Sequence, residues 1–104
     1  MASETSSVTK PILEALNRAG YFCMRMNSGM VRMGNRYIRL CPAGTADLML
    51  CLPDRLPVWL ECKTAKGKTN PEQVEAQNSF RLRVEALGHI YLRVDSLDDV
   101  LRAI

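Results

Sequence analysis

Asp47, Glu61 and Lys63 are the residues whose types and spacing suit hydrolysis of a phosphodiester. In the run Val58-Trp59-Leu60-Glu61-Cys62-Lys63, strand alternation sends Val58, Leu60 and Cys62 to one face and Trp59, Glu61 and Lys63 to the other. The preceding run divides in the same way, Leu48, Leu50 and Leu52 against Asp47, Met49 and Cys51. A turn at residues 53–57 folds the two runs together and brings Asp47 opposite residues 61–63. Two carboxylates and one ammonium therefore gather at one end of one sheet face. Mg²⁺ favours such a place, because it takes one or two carboxylates and keeps waters and phosphate oxygens in its octahedron. A lysine two residues after the glutamate reaches the attacking water and the phosphate oxygens, where its charge opposes developing negative charge. The plainer alternative is a Glu61–Lys63 surface ion pair worth about 0–1 kcal/mol, with Asp47 capping a turn. The literal Pro53-Asp54 lies at the hairpin tip, about 20 Å along the strand from Glu61, and cannot share an ion with it.

Several elements must form to hold these groups. A helix is predicted over residues 8–19, with Val8, Ile12, Leu16 and Ala19 on one face and Gly20 at its stop. Strands follow at 21–26, 30–33 and 36–40, the last two joined by the hairpin dipeptide Gly34-Asn35. The catalytic-type pair of strands spans 48–52 and 58–63. Asn70-Pro71-Glu72 opens a helix, Asn as N-cap and Pro at the first helical position, that runs to Leu87 before Gly88. Val74, Gln77, Phe80, Val84 and Leu87 lie near one of its faces, so the Gln77 amide enters an apolar stripe and needs a hydrogen-bond partner. Gln73, one turn earlier, competes for that role. A strand at 89–94 and a short helix opened by the capping-box pattern Ser96-Leu97-Asp98-Asp99 complete the order.

Composition narrows the classes. The 104 residues carry 14 Lys+Arg against 11 Asp+Glu, for a formal charge of +3, and 47% are hydrophobic, which excludes intrinsic disorder. The length fits one domain, residues 1–104. No apolar run approaches the roughly 18 residues that cross a bilayer, and the first residues form no secretory leader, so a soluble, cytoplasmic protein without membrane partners is expected. A domain of this size buries only about two thirds of its unfolded surface, which makes a homo-oligomer plausible. The cysteines, Cys23, Cys41, Cys51 and Cys62, form no Cys-x-x-Cys or Cys-x-x-His pair, which argues for reduced core residues and against zinc. His89, the one histidine, has no nucleophile partner, which disfavours a Cys-His or Ser-His hydrolase.

Gly44-Thr45-Ala46-Asp47, then Glu61-Cys62-Lys63, then Gln77 and Gly88 on the following helix and its stop, resemble the VRR-NUC (virus-type replication-repair nuclease) domain of the PD-(D/E)XK superfamily. The resemblance extends to Leu16 and Gly20, to Arg25-Met26-Asn27-Ser28-Gly29, and to the run from Gln77 through Phe80 and Val84. It implies an α/β fold with a restriction-endonuclease-like PD-(D/E)XK core, a mixed central β-sheet flanked by helices. Carried over by position, Asp47 and Glu61 are the metal ligands, the main-chain carbonyl of Cys62 a further ligand, Lys63 the catalytic lysine, and Gln77 a side chain pointing at the site. Ala46 stands where the family usually has proline, a minor departure because the carboxylate does the coordination. The family also has a glutamate on the first helix near the metal, for which spacing back from Gly20 favours Glu4 over Glu14.

The remaining basic residues suit a nucleic-acid surface: Arg25, Arg32, Arg36 and Arg39 on the small strands, Lys66 and Lys68 in the loop after Lys63, Arg81 and Arg83 on the helix. Each would neutralise a phosphate, although a solvated surface explains any one of them equally well. No base-reading helix is evident, so recognition of DNA shape is expected. The resemblance implies a Mg²⁺- or Mn²⁺-dependent DNA endonuclease. Stand-alone members of the family resemble homodimers that cut branched DNA, above all Holliday (four-way) junctions, in bacterial or phage-infected cells. The alternatives are a flap or nicking nuclease and a non-catalytic nucleic-acid-binding domain.

Overall fold

The computed structural model describes residues 8–26, 30–63 and 70–104. Its element order is α1 (Lys10–Arg18), β1 (Phe22–Arg25), β2 (Met30–Met33), β3 (Arg36–Arg39), β4 (Leu48–Cys51), β5 (Val58–Cys62), α2 (Pro71–Ala86), β6 (Ile90–Val94) and α3 (Leu97–Ala103). Four strands form one mixed sheet in the order β1-β4-β5-β6, and β2 pairs with β3 in a separate ribbon. The pairs β1–β4 and β4–β5 are antiparallel, whereas β5 and β6 run parallel. A parallel neighbour requires a crossover, and α2 supplies it.

The strand alternation predicted from the sequence decides both layers. Leu48, Leu50, Val58, Leu60 and Cys62 turn to one face and pack with Ile12 and Leu16 of α1 and Val100 of α3 in the main core. Ala46, Trp59 and Tyr91 meet Phe80 and Val84 of α2 on the other face. Trp59 carries much of this second layer. Its ring packs edge-on to Phe80 at 5.1 Å, and its indole N–H donates to Nδ1 of His89 at 3.0 Å.

Ten of the element ends contract by one or two residues relative to the sequence expectation. The helix predicted from residue 8 begins at Lys10, and Ala19, placed on its buried face, is exposed as the C-cap beside Gly20 (φ +98°). Asn70 caps α2 as expected, in a reciprocal box with Gln73. The apolar stripe on α2 is shorter than predicted: Val84 is buried, Gln77 and Phe80 are half-buried, and Val74 and Leu87 are exposed. The large side chains that this sheet face offers to α2 are Trp59 and Tyr91, so only the turns above them are covered. At α3, Ser96 accepts from the Asp99 N–H, but the Asp99 carboxylate reaches back to the N–H of Asp95 and not to that of Ser96.

All the cysteines are free thiols. Burial pushes Cys23 up to about 11 and Cys62 up to about 12, so both stay protonated, as core residues do. Cys41 and Cys51 are half-buried.

Candidate active site

The β4–β5 register sets Leu48 against Leu60, which puts Asp47 one step before the ladder and level with Glu61. Asp47 replaces a ladder bond with its side chain: Oδ2 accepts from the Cys62 N–H at 2.8 Å. Its own carbonyl accepts from the Met26 N–H at 2.8 Å, which ties the end of β1 to the same spot. Asp47 is thus fixed by main-chain donors on both sides.

Glu61 is 6% exposed, on the face covered by α2. Burial first, and the neighbouring Asp47 carboxylate second, push its pKa from the usual 4.5 up to about 8; Lys63 and Arg93 pull it back. Gln77 links the charged groups. Its Nε2 donates to Glu61 Oε2 at 3.4 Å, and its Oε1 accepts from Lys63 Nζ at 3.3 Å. An amide placed between a carboxylate and an ammonium presents each with the complementary end, which sets its orientation.

Gly44 explains how α2 comes this close. Its φ is +84°, and a Cβ there would collide with the Ala76 carbonyl and lie 2.7 Å from the Gln77 nitrogen. Only glycine allows the loop before Asp47 to press against the turn that carries Gln77. Next to it, the Thr45 hydroxyl donates to the Pro42 carbonyl at 2.6 Å, and the fully buried Ala46 enters the second core.

The structure therefore brings together Asp47, Glu61, Lys63 and Gln77. Gln73, the competing amide, is exposed and spent on the Asn70 cap. Asp54 is exposed at the far turn with φ +56°, well away from the cluster. Thr9, 1% exposed, lies beside the Cys62 thiol without reaching hydrogen-bond geometry, so α1 starts at the end of the sheet that holds the carboxylates. Glu4 itself, and Lys66 and Lys68, lie outside the described residues. Glu14 is exposed on α1. Arg25, Arg32, Arg36 and Arg39 are all exposed, on β1 and the β2–β3 ribbon. Arg81 is ion-paired to Glu85 at 3.2 Å and lies 5.7 Å above the Tyr91 ring.

One neighbour escaped the sequence reading. Arg93 stands beside Glu61 in the parallel ladder and donates to Asn78 Oδ1 of α2 at 3.3 Å. The alternation of β6 puts Arg93 on the same face as Tyr91, but only the β5–β6 pairing places that face next to Glu61.

The donor set suits a hard divalent cation. Glu61 shares its buried corner with the Asp47 carboxylate, and burial together with that neighbour disfavours the Glu61 charge, so a cation between the two would be welcome. The Cys62 carbonyl lies beyond the last β4–β5 pair and, as strand geometry requires, points to the same side as the Cys62 N–H, towards Asp47. Among the described residues no third histidine, cysteine or carboxylate joins the pair.

A four-stranded mixed sheet between helices carries Asp47 at the start of one strand and Glu61-Cys62-Lys63 at the end of its partner. The chain is similar to a solved VRR_NUC domain, with a TM-score of 0.55 and 22% sequence identity over 97% of this chain and 94% of that one. No protein-family profile matches the chain, and no curated protein does. The chain has the VRR_NUC fold over nearly its whole length.

Proposed function

We propose that this protein is a metal-dependent, structure-specific DNA endonuclease that hydrolyses phosphodiesters in branched DNA, four-way junctions above all. The observation that carries the reading is the meeting of Asp47 and the 6%-exposed Glu61 at the end of the β4–β5 pair, with Lys63 tied to Glu61 through Gln77. Asp47, Glu61 and the Cys62 carbonyl would hold Mg²⁺ or Mn²⁺. Such an ion, when bound, neutralises the phosphate and lowers the pKa of a coordinated water.

The chain's own groups do the rest. Main-chain donors hold Asp47 rigid, and Gln77 keeps the Glu61 carboxylate turned towards it. Lys63 Nζ offers its remaining protons to the phosphate oxygens, where negative charge grows during attack. The arginines of β1 and the β2–β3 ribbon supply phosphate contacts. A homodimer with two sites across a two-fold axis suits two symmetric cuts in a junction.

The test is a labelled four-way junction, a flap and a plain duplex, each with Mg²⁺, Mn²⁺ or EDTA. Junction cutting with either metal and none in EDTA is the expected result. Cutting of the flap alone removes the junction reading, and binding without any cutting leaves a non-catalytic DNA-binding domain. Lys63→Ala should lower the rate by about 10²–10³-fold with DNA binding retained.

A further inference from the structure

The β2–β3 ribbon is anchored at both ends beside the candidate active site. It leaves from Met26, whose N–H is bonded to the Asp47 carbonyl, and returns through residues 40–46 into Asp47 itself. Met30 follows Met26 by only four residues, so it lies within about 14 Å of it. Every strand residue of the ribbon is exposed.

Its register separates two faces. Met30 pairs with Arg39 and Arg32 with Tyr37, so these four side chains share one face. Val31, Met33, Arg36 and Ile38 share the other. Tyr37, 66% exposed, therefore lies between two arginines. Charge is segregated in the same region. Residues 15–46 contain Arg18, Arg25, Arg32, Arg36 and Arg39 and no Asp or Glu, while the rest of the chain is net acidic.

Building on the nuclease reading above, we propose that the Met30, Arg32, Tyr37, Arg39 face of the ribbon binds the DNA substrate next to the cut. Arg32 and Arg39 contact phosphates, and Tyr37 stacks on a base face left open at a branch or arm. An exposed aromatic ring flanked by guanidinium groups is a platform for a nucleotide strand. In an intact duplex both faces of each base are already stacked. The ring therefore favours DNA that leaves a base face unstacked, at the branch point of an open four-way junction or where duplex gives way to single strand, which is how a ribbon with no base-reading helix distinguishes a branched substrate from a plain one.

The test is equilibrium binding of the full chain in EDTA to plain duplex and to the same duplex carrying a single-stranded arm, across a salt series. Far-UV circular dichroism checks that each variant is folded. Tyr37→Ala should weaken binding of the armed duplex by about 5- to 50-fold and leave plain duplex within about twofold, and Tyr37→Phe should restore it. Arg32→Ala should weaken both and reduce the salt slope by about one. Arg55→Ala, which removes the same charge at the far turn, should change neither.

Equal loss on both DNAs for Tyr37→Ala overturns the stacking role, and unchanged affinities for both variants overturn the surface. A change of oligomeric mass in these variants with DNA affinity unchanged also overturns it, since the face then belongs to a second copy of the chain. Wild-type protein that cuts DNA while the ribbon variants bind normally defeats this inference alone. Wild-type protein that neither binds nor cuts defeats the nuclease reading as well.

Discussion

With no ion beside it, Glu61 has to stay largely neutral through the physiological range, because burial and Asp47 together outweigh Lys63 and Arg93. The sign of the resulting pH dependence follows directly. Below about pH 4.5 the group is protonated both folded and unfolded; between 4.5 and about 8 the unfolded chain gives up the proton and the folded one keeps it. Metal-free protein should therefore lose stability as pH rises through that window. Melting curves in EDTA should fall from pH 5 to pH 8, and Glu61→Gln should flatten the fall and raise the pH 8 midpoint by about 5 °C or more. An unchanged slope in that variant would mean another group carries the dependence. At the same scale, Gln77→Ala separates Lys63 from Glu61, and if Glu61 holds a metal as proposed, DNA cleavage should drop about 10- to 100-fold, the usual cost of losing a side chain that orients a metal ligand.

At the scale of elements, the site depends on a loop pressed against a helix as much as on the strands. Gly44 is where that contact is made, at a left-handed φ and with the Ala76 carbonyl where a Cβ would be. Gly44→Ala is expected to cost about 1–3 kcal/mol and to pull the Gln77 turn away from Glu61. A calorimetric melt and the cleavage assay should register both losses together. A variant with wild-type stability and rate would show that the loop yields without disturbing α2. In the second layer, Trp59 meets Phe80 edge-on and donates its indole N–H to His89 Nδ1, so α2 rests on one aromatic cluster and not on a continuous apolar stripe. That is why Leu87 and Val74, in phase with the stripe, remain exposed.

For the whole molecule, the charge distribution matters more than the net +3. An arginine-bearing, acid-free stretch, residues 15–46, leads into the carboxylates, and the acidic residues lie mainly in the C-terminal half. Among the described residues no helix is long and apolar enough to cross a membrane. Among the described residues, Phe22, Met33, Leu56, Leu82 and Leu87 are each more than half exposed. Light scattering should give twice the 11.7 kDa chain mass if the dimer proposed above forms, and a strictly monomeric mass would remove the paired-cut part of the proposal.

Sequence alone determined whatever depends on near neighbours in the chain. Period-two alternation on either side of the turn at 53–57 put Asp47, Glu61 and Lys63 on one face, Asn70 and Pro71 announced α2, and Gln77 betrayed itself as an amide in an apolar stripe. Each follows from strand, turn or cap geometry over a few residues. Tertiary structure decided the rest: the parallel pairing across α2 that sets Arg93 beside Glu61, the approach of Gly44 to Ala76, and the displaced ionisation of Glu61. Those depend on which surfaces lie against one another and on how much water they exclude, and both quantities are sums over residues distant in the chain that no local pattern encodes.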